Sequence, residues 1–364
     1  MRGQGHQSFV DELARFAAGH ADPRLTAIAR RSAVPLRVAV RGRRGVGCRT
    51  VRRALDGAGR SAAIAVDAPG SERDADAVVY VLTEVVKPED TQAIARDSAA
   101  GRPVLAVLNK ADLAGSLSGR GDGPIAAARA RCTELSALIG VPMEPMTGLL
   151  AVAALDDLDS AQWTALSALA AHPGTACFDG SFAALLAADA PVPTEVRRRL
   201  LDTLDLFGTA LAVAAFRQGR TPAQVLALLH RMSGVDAVLA TIGALGAEAR
   251  YQRVLDAVAE LEALAAAGGR LAERISGFLS RDDTVVARMA AAVDLAEAAG
   301  LEPGDPQHLD AHRDPSAHLP RAVRWQRYSR ASASELHRAC GADIARGSLR
   351  LWSQACGSLP GASW

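Results

Sequence analysis

The residues best suited to specific chemistry are Asn109-Lys110-Ala111-Asp112, directly after the apolar run 102–108. A carboxylate at Asp112 can accept two hydrogen bonds from one edge of guanine, its N1–H and its exocyclic amine. Adenine offers no such pair. The alkyl stem of Lys110 can lie over a base, and Asn109 can tie neighbouring loops together. The chain has only two lysines, Lys87 and Lys110, so a lysine at this spot stands out against arginine everywhere else. A four-residue pattern with one free position is weak alone, so the elements around it must carry the case.

Those elements are ordered. Ala77–Leu82 is a continuous apolar, β-branched run and reads as a buried parallel strand. Before it, 61–66 reads as another strand, followed by Asp67-Ala68-Pro69-Gly70. Before that, Leu36–Val40 leads into Arg41-Gly42-Arg43-Arg44-Gly45-Val46-Gly47-Cys48-Arg49-Thr50, a glycine-rich loop opening a helix over about 49–55. Each motif alone has a plain reading. The glycines make a turn, Asp-x-Pro-Gly is good turn chemistry, and Asn109–Asp112 fits a helix N-cap before Leu113.

Taken in order, each at a strand end, the three motifs resemble the P-loop GTPase superfamily over about residues 35–150. Asn109, Lys110 and Asp112 match its base-recognition element NKxD. Asp67 and Gly70 match DxxG, whose aspartate, in the family, reaches Mg2+ through water and whose glycine amide senses the γ-phosphate. Gly42 and Gly47 match the ends of GxxxxGK[ST], with Gly45 between them. Thr147 and Gly148 fall where the family has a short base-contacting loop, and an ordinary polar turn explains them equally well. The resemblance implies GTP or GDP as ligand, with Mg2+ weakly supported.

The glycine loop departs from the family. Cys48 stands where the phosphate-binding lysine belongs, and Arg49 where the metal-binding hydroxyl belongs. The glycines can still aim backbone N–H groups at an anion, with the helix dipole behind them. Phosphoryl transfer depends on the lost groups for positioning and charge. Thr50 supplies a hydroxyl only if the loop slips by one residue, and arginine's fork at 43, 44 or 49 does not replace a compact ammonium. Sixteen residues separate Thr50 from Asp67, too few for the family's first switch and its strand. Cys48, in a glycine loop at a helix start, is a candidate reactive thiol, with a passive small side chain as the simpler reading.

The fold class expected is α/β: a mostly parallel sheet of P-loop GTPase type, followed by an all-α domain. The divisions are 1–34, an N-terminal helical segment packing with the C-terminal helices; 35–175, the nucleotide domain; 176–300, helical; 301–320, a polar linker; and 321–364, a last helical segment. That arrangement is similar in outline to dynamin-like GTPases, whose flanking helices form a bundle. The linker's His308, His312 and His318, with Asp305, Asp310 and Asp314, match no zinc spacing and read as a solvated loop.

Composition sets the remaining limits. A length of 364 residues points to two domains. A net charge of +1 gives no overall pull toward nucleic acid or anionic lipid. Five scattered cysteines without metal spacing read as reduced thiols. No signal core and no apolar run of about 20 residues is present, so a cytoplasmic location with no transmembrane segment is expected, leaving peripheral membrane contact open. High alanine and arginine with almost no lysine point to a GC-rich, actinobacterial type of genome. The sequence reads as a degenerate guanine-nucleotide protein with hydrolysis weak or lost, acting as a regulatory or scaffold subunit beside an active GTPase or as a homo-oligomer. Two alternatives stand: a true GTPase completed by a partner, and an adaptor without nucleotide.

Overall fold

The computed structural model describes residues 5–68, 75–115, 123–172, 181–187, 189–301 and 315–357. The chain divides into two compact units: residues 37–242, and residues 1–36 together with 243–364.

The first unit is built on a five-stranded sheet. Its strands are β1 (Leu36–Gly42), β2 (Ile64–Val66), β3 (Ala77–Leu82), β4 (Val104–Asn109) and β5 (Met143–Met146). The order is β2-β1-β3-β4-β5. The ladders β1–β3, β3–β4 and β4–β5 are parallel, with Val38 opposite Ala77, Val79 opposite Leu105 and Asn109 opposite Met146. Strands β3 and β4 are buried at every position, as unbroken runs such as AVVYVL require when both sheet faces are covered. The helices α3 (Cys48–Gly59), α4 (Pro88–Ala99) and α5 (Pro124–Ile139) link successive strands, because parallel strands need crossovers.

Six more helices follow β5: α6 (Gly148–Asp156), α7 (Ser160–Ala171), α8 (Phe182–Ala187), α9 (Thr194–Arg217), α10 (Pro222–Ser233) and α11 (Val235–Leu245). Their starts are written locally. Asp159 caps α7 with Gln162 in a reciprocal box, and Thr221 does the same for α10 with Gln224. A domain division at 175/176 was expected, but the units divide at 36/37 and 242/243. Physical contacts explain why. Thr147 N–H donates to the Ser233 carbonyl at 2.8 Å, and Thr241 Oγ1 donates to Glu144 at 3.0 Å. Leu150, Leu166, Leu204 and Leu229 share one core. The helices through α10, and α11 as far as Ile242, therefore belong with the sheet.

Among the described residues the second unit is all helical: α1 (Gly5–Ala18), α2 (Pro23–Ser32), α12 (Ala247–Ala266), α13 (Arg270–Ser280), α14 (Asp282–Ala298), α15 (Pro315–Ala331) and α16 (Glu335–Gly357). Phe9, Leu13 and Phe16 of α1 enter one core with Tyr251, Phe278 and Trp325. The rings of Phe16 and Phe278 stack 4.4 Å apart. Asp343 anchors the core's polar heart, accepting from Tyr251 Oη at 3.0 Å and from Arg288 Nη2 at 2.8 Å. A polar linker was expected over 301–320, of which residues 302–314 lie outside the described residues. Residues 315–320 already belong to α15, which carries Pro320 inside it, and His318 is buried. His308, His312, Asp305, Asp310 and Asp314 lie outside the described residues. Among the described residues no single helix is long and apolar enough to cross a membrane.

Candidate functional site

β1 stops at Gly42, and the loop to α3 is shaped by three glycines at positive φ: Gly42 at 152°, Gly45 at 87° and Gly47 at 91°. Two of them also need the missing side chain. A Cβ on Gly42 would run into the Val81 carbonyl oxygen of β3 and come within 2.9 Å of Cys48 Sγ, and one on Gly47 would collide with Asn109 Nδ2. The loop is therefore pressed between the ends of β1, β3 and β4. In a doubly wound sheet of this order, the crevice between β1 and β3 is the switch point, where ligands characteristically bind.

Asn109 is the joint of the site. It is buried. Its Nδ2 donates to the Val46 carbonyl at 2.8 Å, and its Oδ1 accepts from the Gly148 amide at 3.0 Å. One side chain thus fastens the glycine loop and the start of α6 to the end of β4. Lys110 follows at φ 58° and is exposed. Asp112 is only 5 % exposed and Thr147 only 3 %. Burial holds the Asp112 carboxyl above its ordinary range, against a hydrogen bond from its own backbone amide; the negative charge of Asp205 adds to the rise, while Thr147 and Lys110 act the other way.

The phosphate end is differently furnished. Arg43 is committed to structure: its Nε donates to both oxygens of Asp90, at 2.8 and 3.0 Å. Asp90 is fully buried and also accepts from Tyr80 Oη at 3.0 Å and the Lys87 amide at 2.9 Å. Arg44 and Arg49 are exposed, and Cys48 is half-buried as a thiol outside any disulfide. The methyl of Thr50 packs toward Gly148, where a Cβ would lie 3.3 Å from it.

Asp67 does not join the glycine loop through a hydrogen bond. Its Oδ1 accepts from Arg37 Nε at 3.0 Å, and its Oδ2 is buried without a partner. Its amide bonds to the Val38 carbonyl, which sets it about midway along β1 rather than at the Gly42 end. With Arg49, Arg52 and Arg53 of α3 it lines an open cleft of about 370 Å³. Gly70 lies outside the described residues. Among the described residues no group of three or more His, Cys, Asp or Glu side chains gathers around a metal position.

The structure therefore brings together Gly42, Gly47, Cys48, Thr50, Asn109, Asp112 and Thr147, and turns Asp67 toward Arg37. Sequence reasoning missed Asp90 and Asp205. Asp90 carries a signal, since it is the third residue of a helix opened by Lys87-Pro88. Asp205, inside a leucine-rich helix, carries none. Comparison of the chain with protein-family models, curated proteins and solved structures gave no match.

Proposed function

We propose that the sheet-bearing unit binds a guanine nucleotide and has lost effective hydrolysis, so that the protein works as a regulatory or scaffold subunit in the cytoplasm, paired with an active GTPase. The observation that carries this reading is Asn109 bridging Val46 and Gly148, with Asp112 and Thr147 gathered beside it at the strand ends. A base held there would meet an acid able to accept from N1–H and the exocyclic amine. The loss of hydrolysis rests on Cys48 in the lysine's place, on Arg43 tied to Asp90 and on Asp67 tied to Arg37. Among the described residues the glycine loop then carries no lysine, and Asp67, the candidate Mg2+ carboxylate, is engaged by Arg37 rather than by that loop.

The test is titration calorimetry with GDP, GTP and xanthosine diphosphate, with and without Mg2+, beside a phosphate-release assay. Guanine binding without turnover is the expected result, and Asp112→Asn should shift preference from guanine toward xanthine. An Asp112→Asn protein that still binds and keeps guanine preference would overturn the base assignment. Turnover comparable to an intact GTPase would favour a true enzyme. The burial of Asp112 favours one alternative, an adaptor that takes no nucleotide, and absence of binding by any variant would establish it.

A further inference from the structure

Helix α9 departs from its path at Asp205, where φ is 59° and ψ −177°. That backbone region is essentially reserved for glycine, and a strained residue persists there only when its surroundings fix it. Here they do. The Asp205 carbonyl accepts from Thr209 Oγ1 at 2.7 Å, and its own carboxylate accepts from the Leu206 amide at 2.7 Å. Three residues on, Gly208 lies flush against Leu150, and a Cβ on it would collide with that leucine. Leu150 sits in the first turn of α6, the helix whose first amide is held by Asn109. The bend is thus fastened to the element that carries the purine end of the site.

Two further observations bear on access. Asp112 and Thr147 are almost wholly covered, so a base cannot reach the acid in this arrangement. The Asp205 charge also lies within electrostatic reach of the Asp112 carboxylate, and two like charges disfavour each other in a buried setting. Backbone strain and charge repulsion are both present with α9 seated, and both are relieved if its bend lifts from α6.

We propose that α9 is a closing arm over the purine end, with the bend at Asp205 as its latch. This rests on the reading of Asp112 as a base-recognising acid. In the arrangement seen, the arm is shut; a guanine nucleotide must displace it, and whatever draws α9 away raises nucleotide affinity. A partner protein that grips α9 would act in this way, since a ligand shifts such an equilibrium only through its preference for one state.

Substitutions at one position give opposite signs. Asp205→Gly allows the bent backbone and removes the charge, so it stabilises the shut arm. Asp205→Ala removes the charge but disfavours φ near 59°, so it straightens α9 and opens the site. Gly208→Ala pushes on Leu150 and opens the site by a separate route. The full chain and these variants are titrated with a fluorescent GDP analogue, and hydrogen exchange is measured at Ala111–Gly115 without nucleotide. The expected result is affinity about tenfold higher for Asp205→Ala than for Asp205→Gly, in the ratio set by the cost to alanine of this glycine-reserved backbone. Exchange at Ala111–Gly115 should be faster in Asp205→Ala and Gly208→Ala than in Asp205→Gly. If Asp205→Ala does not fold, Gly208→Ala against Asp205→Gly carries the comparison. Nucleotide bound equally by all variants, with equal exchange, overturns the arm and leaves the base reading intact. Exchange that differs as stated while no variant binds nucleotide overturns the base reading, and the gating role with it.

Discussion

Replacing Asn109 tests the joint on which the whole site depends. Its two hydrogen bonds, 2.8 Å to the Val46 carbonyl and 3.0 Å from the Gly148 amide, are buried. Asn109→Ala strands both backbone groups. An unsatisfied buried polar group costs about 1–3 kcal/mol, so the expected loss is about 2–6 kcal/mol, nearer the lower end if water enters the vacated space. Asn109→Asp is the sharper variant because it keeps size and shape. It still accepts from Gly148 but has no donor for Val46, and it sets a carboxylate against a carbonyl. The assay is hydrogen exchange on peptides covering β1, β4 and the start of α6, which reads the stability of the sheet-bearing unit apart from the helical one. An Asn109→Asp protein within about 0.5 kcal/mol of the parent would refute the reasoning, because it would mean that the side chain fills space and its donor does nothing.

The remaining tests concern charges that the fold has buried. His6, buried and flanked by Arg250 and Arg253, is held neutral, with its pKa lowered from 6.5 to about 4, first by burial and then by the two arginines. The unfolded chain therefore binds a proton that the fold does not. His6 leaves stability intact above pH 6.5 and removes about 1.4 kcal/mol per pH unit as pH falls toward 4, about 3 kcal/mol in all. Melting temperatures of His6→Leu and the parent should diverge over that window, and parallel curves would disprove the assignment. Asp343→Ala leaves Arg288 as an uncompensated charge in the helical core and should cost about 3–5 kcal/mol by urea denaturation. Asp90→Asn weakens the clamp on Arg43 and should loosen the glycine loop, seen as faster exchange in residues 43–47; unchanged exchange there would show that Arg43 is held by other means.

How much of this was legible depended on whether a feature is local. β3 and β4 were plain because runs such as AVVYVL and VLAVLN have no other comfortable environment than a covered sheet. The glycine loop was visible because Gly42 and Gly47 each occupy a place no side chain can. Asn109 as a tie between loops followed from its amide, which both donates and accepts. The partners of the arginines were not visible. Nothing local says that Arg43 goes to Asp90, or that Arg37 goes to Asp67 across thirty positions. Nor does the sequence show that α10 and α11 side with the sheet, because their apolar faces would suit either core.

Asn109 and Asp112 differ in what their presence means. Asn109 is accounted for by folding, since two buried hydrogen bonds give it a structural role whether or not a nucleotide ever binds. Asp112 has a weaker account: its own backbone amide and Thr147 favour its carboxylate, but they do not outweigh its burial. Burial and the Asp205 charge both work against its ionised form, and its pKa is raised in consequence. The sign follows from linkage: a carboxyl raised in the fold helps stability at low pH and loses that contribution as pH rises through its folded pKa. At neutral pH the folded protein therefore carries Asp112 at a cost. Asp112→Asn should melt higher than the parent at pH 7, with the advantage shrinking as the pH falls below the parent's folded pKa. A stabilising loss of an acid is the signature of a group kept for binding. If Asp112→Asn instead melts lower at pH 7, the carboxylate is a structural acceptor, and the case for a purine site loses its base-recognising acid.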